Sequence, residues 1–445
     1  MFRILTSLAW SGFYRLGGIF AAFITNVILA RMISKEKLGI YFLTFSIVMF
    51  LAIIMRAGIK QTSLKAVVWA RNNNKCIISV ISRILLFSLF TTVIVAVVSA
   101  YSLGHWVAED FFRSSEMTNN VIWIVGWAAM VSLAAPIGES LRALHFPGWG
   151  AAMDMSLCNI IVALVLGGMY LVNYKIDYEE LLIIWVVIFT IVNFWALGKL
   201  VREITCSTSY GERESCRNKS GIVFYKGVFP VFMLNISNYL LINASLWVVG
   251  YTLGHEDAAV YGAVIKLYNL LALPLIVINM GLEPHMADLF FSQQKKRLML
   301  MLKMSAAGGL TITLLASATF VLFGKQLLEF IYGSGFGEGY SALVIILLGN
   351  IVNVWTGSCQ SLLIISGKET ILAILTSVGA VLCIALSIIY ASSYGITGVA
   401  GTVTMSVAAI NMAVWLSVRI ILGIDTSAFL NPMRVREGLR VINAR

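Results

Sequence analysis

Residues 370–418 form an unbroken run of 49 positions without one Asp, Glu, Lys or Arg. About 20 apolar residues already cross a bilayer, so one helix cannot account for the run. The turn-like Ser392-Ser393-Tyr394-Gly395 divides it into two segments, each long enough to span. The solvent for this part of the chain is therefore lipid. There every backbone N–H and C=O must be satisfied internally, which selects helices over open sheet.

The same signature recurs. Charge-free windows occupy 84–108, 117–138, 155–174, 181–198, 227–255, 304–324 and 339–367. Three further spans, about 5–30, 38–57 and 258–282, are interrupted by Arg15, end at Arg56 or contain Lys266. The expectation is an all-α polytopic membrane protein with about twelve transmembrane helices. Composition agrees: 59% of the 445 residues are hydrophobic and 12% charged, about half the charge usual in soluble domains. That excludes a disordered chain, a nucleic-acid binder and an ordinary soluble enzyme. The N-terminus lacks a small-residue cleavage site and carries Arg15 within its apolar run, which favours a retained first span over a cleaved leader. The six cysteines contain no CxxC pair, so no disulfide framework or metal site is expected.

The net charge of +11 reads as topology. Residues 56–83 hold Arg56, Lys60, Lys65, Arg71, Lys75 and Arg83 without an acid; 199–226, the 295–303 stretch and the tail are also basic. The alternate loops carry Glu109, Asp110 and Glu116, then Asp177, Glu179 and Glu180, then Glu256 and Asp257, then Glu329 and Glu338. Both termini are expected on the cytoplasmic side, with Lys35-Glu36-Lys37 a mild exception in the first external loop. Gly104 and Gly324 open loops 220 residues apart, Tyr170 and Tyr390 end spans at the same offset, and Gly39 and Gly262 lie 223 apart. The pattern reads as a six-plus-six duplication in parallel orientation, its pseudo-two-fold axis along the membrane normal. The expected organisation is an N-terminal six-helix lobe over 1–203, a cytoplasmic linker over 204–222, a second lobe over 223–423 and a basic cytoplasmic tail over 424–445.

Ionisable groups at membrane depth are costly and mark function. Arg15 lies within span 1, with Ser11, Gly18 and Ala22 on its face, and Lys266 lies about two turns inside span 8 with Asn269 beyond it. For both, a structural ion pair is the alternative. Arg56, Arg142 and Lys226 sit nearer the cytoplasmic ends, where they either snorkel to headgroups or attract an anion. Glu139, three residues before Arg142 and three after Pro136, either pairs with that arginine or binds a coupling proton or sodium ion. Asp154, at the start of span 5, is either interfacial or a second coupling site, and Glu283 is a third acid near depth. Asn350, Asn353, Gly357 and Gln360 share one face of span 10, and Asn235, Asn238 and Asn243 populate span 7 after Pro230. Such residues act as interhelical glue or as a water-lined wall. No Walker A loop, GxSxG, HExxH or DxD is present, and the four histidines are scattered near loops.

The stretch Leu29-Ala30-Arg31-Met32-Ile33-Ser34-Lys35-Glu36-Lys37-Leu38-Gly39-Ile40-Tyr41, followed by Gly58-Ile59, resembles a segment of the Wzx-type polysaccharide-lipid flippases. These belong to the multidrug/oligosaccharidyl-lipid/polysaccharide exporter superfamily. The resemblance implies two six-helix lobes around a central cavity lined by spans 1, 2, 7 and 8. It also implies a substrate of undecaprenyl-pyrophosphate-linked oligosaccharide, an O-antigen or capsule repeat unit, in a bacterial inner membrane. Spans 1, 2, 7 and 8 carry Arg15, Arg56, Lys226 and Lys266 here, and cations in a low-dielectric cavity suit a pyrophosphate.

The sequence thus reads as a flippase working by alternating access, not an enzyme. Arg15 and Lys266 would hold the anionic group, Arg56, Arg142 and Lys226 would attract it, and the Asn and Gln faces would meet sugar hydroxyls. Prolines 136, 230, 274 and 284 would allow bends. No cofactor is expected beyond a coupling H+ or Na+. Expected partners are the lipid-linked oligosaccharide, membrane lipids and a polysaccharide polymerase with its chain-length regulator, and no nucleic acid. The rivals are an ion-coupled drug antiporter of the same fold, a membrane glycosyltransferase or polymerase, and a scaffold in an assembly complex.

Overall fold

A computed structural model of the chain describes residues 2–72, 76–207, 228–271, 282–283 and 285–428. Among these residues every regular element is helical. The chain divides into two compact units, Met1–Phe232 and Met233–Arg445.

In the first unit α1 (Phe2–Met32) is followed by α2 (Lys35–Arg56), α3 (Ile59–Asn72) and α4 (Ile77–Ser102). Ser34 begins α2 by accepting from the Lys37 amide at 3.3 Å, with Glu36 in the positive first turn. Left-handed Ala57 (φ 45°) and Gly58 (φ 78°) end it. A π-helical turn, Leu103–Phe111, and the short α5 (Ser115–Asn119) replace the loop expected to carry Glu109, Asp110 and Glu116. There follow α6 (Val121–Ala143), α7 (Pro147–Ala151), α8 (Leu157–Leu171) and α9 (Tyr178–Ser207).

Helix α6 is the hub, packed on α2, α3, α4 and α9, while α1 runs along α7 and α8. Ring stacking joins three of these helices: Trp127 lies 4.7 Å from Trp185 and 6.5 Å from Tyr41. All three rings are at most 2% exposed. Lipid is as apolar as these side chains, so close van der Waals packing rather than escape from solvent holds them together. Leu38, Gly39 and Tyr41 of the family-like segment are thus core residues of α2.

α10 (Val228–Thr252) starts just before the boundary and lies mostly in the second unit, which also contains α11 (His255–Leu271), α12 (Lys295–Tyr332), α13 (Tyr340–Thr356), α14 (Cys359–Ile365) and α15 (Glu369–Ile421). Helix α13 packs against α11, α12 and α15, and α14 against α15. Leu298, Leu302, Leu362, Leu363, Leu372, Val414 and Val418 belong to one buried cluster. The 53 residues of α15 are two spans folded back at Gly395 (φ 57°, ψ −146°). Ser387 and Thr402 hydroxyls meet at 2.7 Å across the fold, whereas on a straight helix they would lie about 22 Å apart. The division expected at Ser392–Gly395 falls at this hairpin.

The single span expected over 339–367 is corrected. α13 ends at Thr356, Gly357 turns left-handed (φ 70°), and α14 restarts at Cys359. The freed carbonyls are capped by the segment after α15: Thr426 Oγ1 donates to Thr356 O at 2.6 Å and the Ala428 amide to Trp355 O at 2.9 Å. A Cβ at Gly357 would collide with the Thr426 carbonyl. Asp425 anchors the same segment, accepting from Lys303 Nζ at 2.6 Å, Trp415 Nε1 at 3.2 Å and Ser427 Oγ at 2.8 Å. Burial pushes this carboxyl up, but these hydrogen bonds outweigh it and hold Asp425 at about 2.

Ten helices among the described residues are long and apolar enough to cross a membrane. With α15 counted as two and α11 occupying the start of the span expected over 258–282, the layout of about twelve holds. The rest of that span, including Pro274, lies outside the described residues, as do Lys226, Pro284, linker residues 208–222 and the tail from 429. The expectation of no disulfide is corrected at one position. Cys76 is disulfide-bonded, while Cys158, Cys359 and Cys383 are free and buried.

Candidate functional site: a charged cluster in the first unit

Four elements deliver charge to one place in the first unit. The end of α2 brings Arg56, the start of α3 Lys60, the end of α6 Glu139 and Arg142, and the α7–α8 junction Asp154. Close backbone packing explains the convergence. A Cβ at Gly138 would lie 2.8 Å from Met153 Cβ, and one at Gly150 would lie 2.9 Å from Arg142 Cβ and Nε. Helix α7 therefore seats tightly on the end of α6 because both contact positions lack side chains. On the other side a Cβ at Gly18 would lie 2.5 Å from Ser156 Cα, so α1 touches the junction just past Asp154. Asn159 Nδ2 donates to Gly18 O at 3.3 Å and reinforces that approach.

The junction is a break in the helix. Asp154 (ψ 48°) and Met155 (φ 69°) leave helical geometry within a π-helical turn, Ala152–Ser156. Positive φ is uncommon for a residue with a side chain. The break aims the Asp154 carboxylate at Lys60 Nζ, with which it forms an ion pair. Arg56 and Arg142 are also within electrostatic reach of Asp154. Arg142 Nη1 donates to Glu139 Oε1 at 2.9 Å. Arg56 Nη2 donates to the Val131 carbonyl at 2.8 Å. Among the described residues, Arg56 Nε and Arg142 Nη2 are buried with no acceptor.

Arg15 belongs to the same neighbourhood, because Glu139 feels its charge together with those of Arg142, Lys60 and Asp154. It lies on α1, one turn before Gly18. Among the described residues, Arg56, Lys60 and Arg142 gather about Glu139 and Asp154, with Arg15 also within reach of Glu139.

The two pairs differ in accessibility. The side chains of Lys60 and Asp154 are 29% and 35% exposed, those of Arg142 and Glu139 22% and 7%. Glu139–Arg142 is a fixed inner pair and Lys60–Asp154 an outer one. Lys60 is the site residue that sequence reasoning missed, since it reads as one of six cations in a basic loop. Its signal was position, four residues after Arg56 at the first turn past a helix end.

The remaining expected residues do not gather at this cluster. Lys266 and Asn269 lie on α11 in the second unit, the first half-buried and the second exposed. Asn235 and Asn238 are half-buried on α10, in the same unit. The common face expected for Asn350, Asn353 and Gln360 is broken by the turn at Gly357. Asn350 is buried, accepts from the Tyr268 hydroxyl at 3.4 Å and lines a cavity of about 40 Å³ with Tyr261, Ile265 and Thr404. That space suits a water rather than a sugar. Asn353 is half-buried, and Gln360 Nε2 donates to Asn411 Oδ1 at 3.1 Å, bracing α14 against α15.

A sequence model described as polysaccharide biosynthesis protein matches residues 5–290, more than half of the chain. The chain belongs to the polysaccharide biosynthesis protein family. No curated protein matches it closely enough to add a named relative. Among solved structures, this polysaccharide biosynthesis protein is similar in fold to an inward-facing multidrug resistance MATE family transporter of the MOP superfamily. The TM-score is 0.66 at 13% identity, over 91% of this chain and 94% of that one. A Vibrio cholerae MATE transporter matches with TM-score 0.60 at 12% identity, over 95% of this chain and 98% of that one. A MOP superfamily transporter from Pyrococcus furiosus, whose description reports a binding pocket of reversed polarity, matches with TM-score 0.54 at 13% identity. The family match and the shared fold, with ten helices among the described residues long and apolar enough to cross a membrane, agree on a multi-pass helical membrane protein of polysaccharide biosynthesis.

Proposed function

We propose that this transporter moves a lipid-linked oligosaccharide carrying a pyrophosphate, an undecaprenyl-pyrophosphate-linked repeat unit of O-antigen or capsule, from the inner to the outer leaflet of a bacterial inner membrane by alternating access. The observation that carries the reading is the gathering of Arg56, Lys60 and Arg142 about Glu139 and Asp154, with Arg56 Nε and Arg142 Nη2 buried without an acceptor among the described residues. Charge at membrane depth is costly unless a partner of opposite sign repays it, and a pyrophosphate is such a partner, held by charge-assisted hydrogen bonds. A drug antiporter shares the fold, but a cationic drug requires the opposite polarity in its site. Glu139 is committed to Arg142 and Asp154 to Lys60, so the ion-coupling role considered for them becomes charge balance. Downstream consumption of the exported lipid would then supply direction.

The test is genetic. In cells lacking the gene, plasmids encoding Arg56→Ala, Arg142→Ala and Arg15→Ala should leave lipid-linked oligosaccharide accumulated and surface polysaccharide reduced at least about tenfold, the scale of losing one charge-assisted contact. Normal surface polysaccharide from all three, at wild-type membrane abundance, would overturn the proposal.

A further inference from the structure

We propose that Lys60, flanked by Arg56 and Arg142, is the phosphate-binding element of the first unit, and that Asp154 is its built-in counter-anion, displaced when a pyrophosphate arrives. The inference deepens the reading above and rests on it. The substrate class it names is a pyrophosphate that joins an isoprenyl chain to a sugar, of which an isoprenyl pyrophosphate is the minimal fragment.

Three observations carry it. The first is the difference between the pairs. Glu139 is nearly sealed at 7% exposure and cannot be reached without breaking into the α6–α7 contact, whereas Lys60 and Asp154 are both about one-third open. An incoming anion meets the outer pair. The second is backbone geometry. Asp154 is paired only because the helix breaks there, with Met155 left-handed immediately after it. Non-glycine residues persist in that region where surroundings hold them, and such positions concentrate at switching sites. Release of the Lys60 contact removes one of the restraints. The third is spare hydrogen-bonding capacity. Arg142 Nη2 and Arg56 Nε are buried without acceptors among the described residues, although buried donors are nearly always satisfied.

The chemistry favours exchange. A carboxylate brings one negative charge and two oxygens to Lys60, while a pyrophosphate brings more charge and enough oxygens to engage Lys60 and both arginines at once. In the resting protein Asp154 keeps Lys60, Arg56 and Arg142 from repelling one another and holds the site against singly charged anions. The multivalent group outcompetes it, and the freed junction between α7 and α8 is the element that changes.

Equilibrium binding to the purified full-length protein in detergent tests this, with farnesyl pyrophosphate as probe and phosphatidylglycerol in mixed micelles as the control arm. The wild type should bind the pyrophosphate, Asp154→Asn should bind it about fivefold or more tighter, and Lys60→Ala about tenfold weaker. Phosphatidylglycerol should compete poorly. Equal or weaker binding by folded Asp154→Asn overturns the inference. If that variant shows no melting transition, Lys60→Ala decides, and unchanged affinity there overturns it. Equal competition by phosphatidylglycerol reassigns the site to lipid headgroups and overturns it as well. Wild-type binding with both variants unchanged leaves the functional reading standing while this inference falls. No binding by any form removes the functional reading and the inference together.

Discussion

Glu139 and Arg142 show how position decides what a charge contributes. The pair sits three residues apart on one helix and is nearly closed off. Removing one partner of a buried pair strands the other, so Arg142→Ala should cost about 3–5 kcal/mol and lower the melting temperature in detergent. Lys60→Ala opens only an accessible pair and should cost about 1 kcal/mol or less, with the loss falling on transport. Similar melting shifts for the two variants would contradict the distinction. The Glu139–Arg142 pair was readable from the sequence, because its spacing is helical. The Lys60–Asp154 pair was not, because its members are 94 residues apart and meet only through a break that no local motif announces. Asp425 makes a separate residue-scale prediction. Its carboxyl lies at about 2 in the folded protein, below the roughly 3.9 of an unfolded aspartate. Its contribution is complete above pH 4 and is lost as the pH falls from about 4 to about 2. Asp425→Asn should flatten the decline of melting temperature over that window. An unchanged slope would show that Lys303 and Ser427 do not hold the carboxylate as described.

Among the elements, α15 and α13 contrast in what a sequence discloses. The hairpin at Gly395 was visible as a turn-like cluster inside an impossibly long apolar run. The break at Gly357 was not, because a lone glycine in a helical pattern is common and its reason lies 69 residues away, where the Thr426 backbone fills the gap. Gly395 adopts φ 57° and ψ −146°, a region essentially closed to residues with a Cβ. Gly395→Ala should therefore destabilise by about 1–3 kcal/mol, read as a lower melting temperature. At Gly18 the constraint is contact rather than conformation. Gly18→Val would force α1 away from Ser156 and separate Arg15 from the cluster, so export should fall even where the protein inserts at normal abundance. Wild-type export from Gly18→Val would show that the approach of α1 is dispensable.

For the whole molecule, two compact helical units, a family match over residues 5–290 and a transporter fold shared at 12–13% identity describe one kind of device. Hydropathy alone carried the architecture, since lipid permits few alternatives to spanning helices. The site was only partly legible because the 56–60 segment and the 139–154 segment are remote in sequence, and glycine contacts seat α6, α7 and α1 together. The net charge of +11 was informative less as a sum than through the few cations that the first unit concentrates beside two acids. The most direct test is translocation in reconstituted vesicles, following a fluorescent isoprenyl-pyrophosphate oligosaccharide from one leaflet to the other. The wild type should move it, the double variant Arg56→Ala/Lys60→Ala should slow it at least about a hundredfold if each charge-assisted contact is worth about tenfold, and a neutral oligosaccharide lipid should not cross with either. Equal rates for the double variant and the wild type, or equal transport of the neutral lipid, would contradict the account.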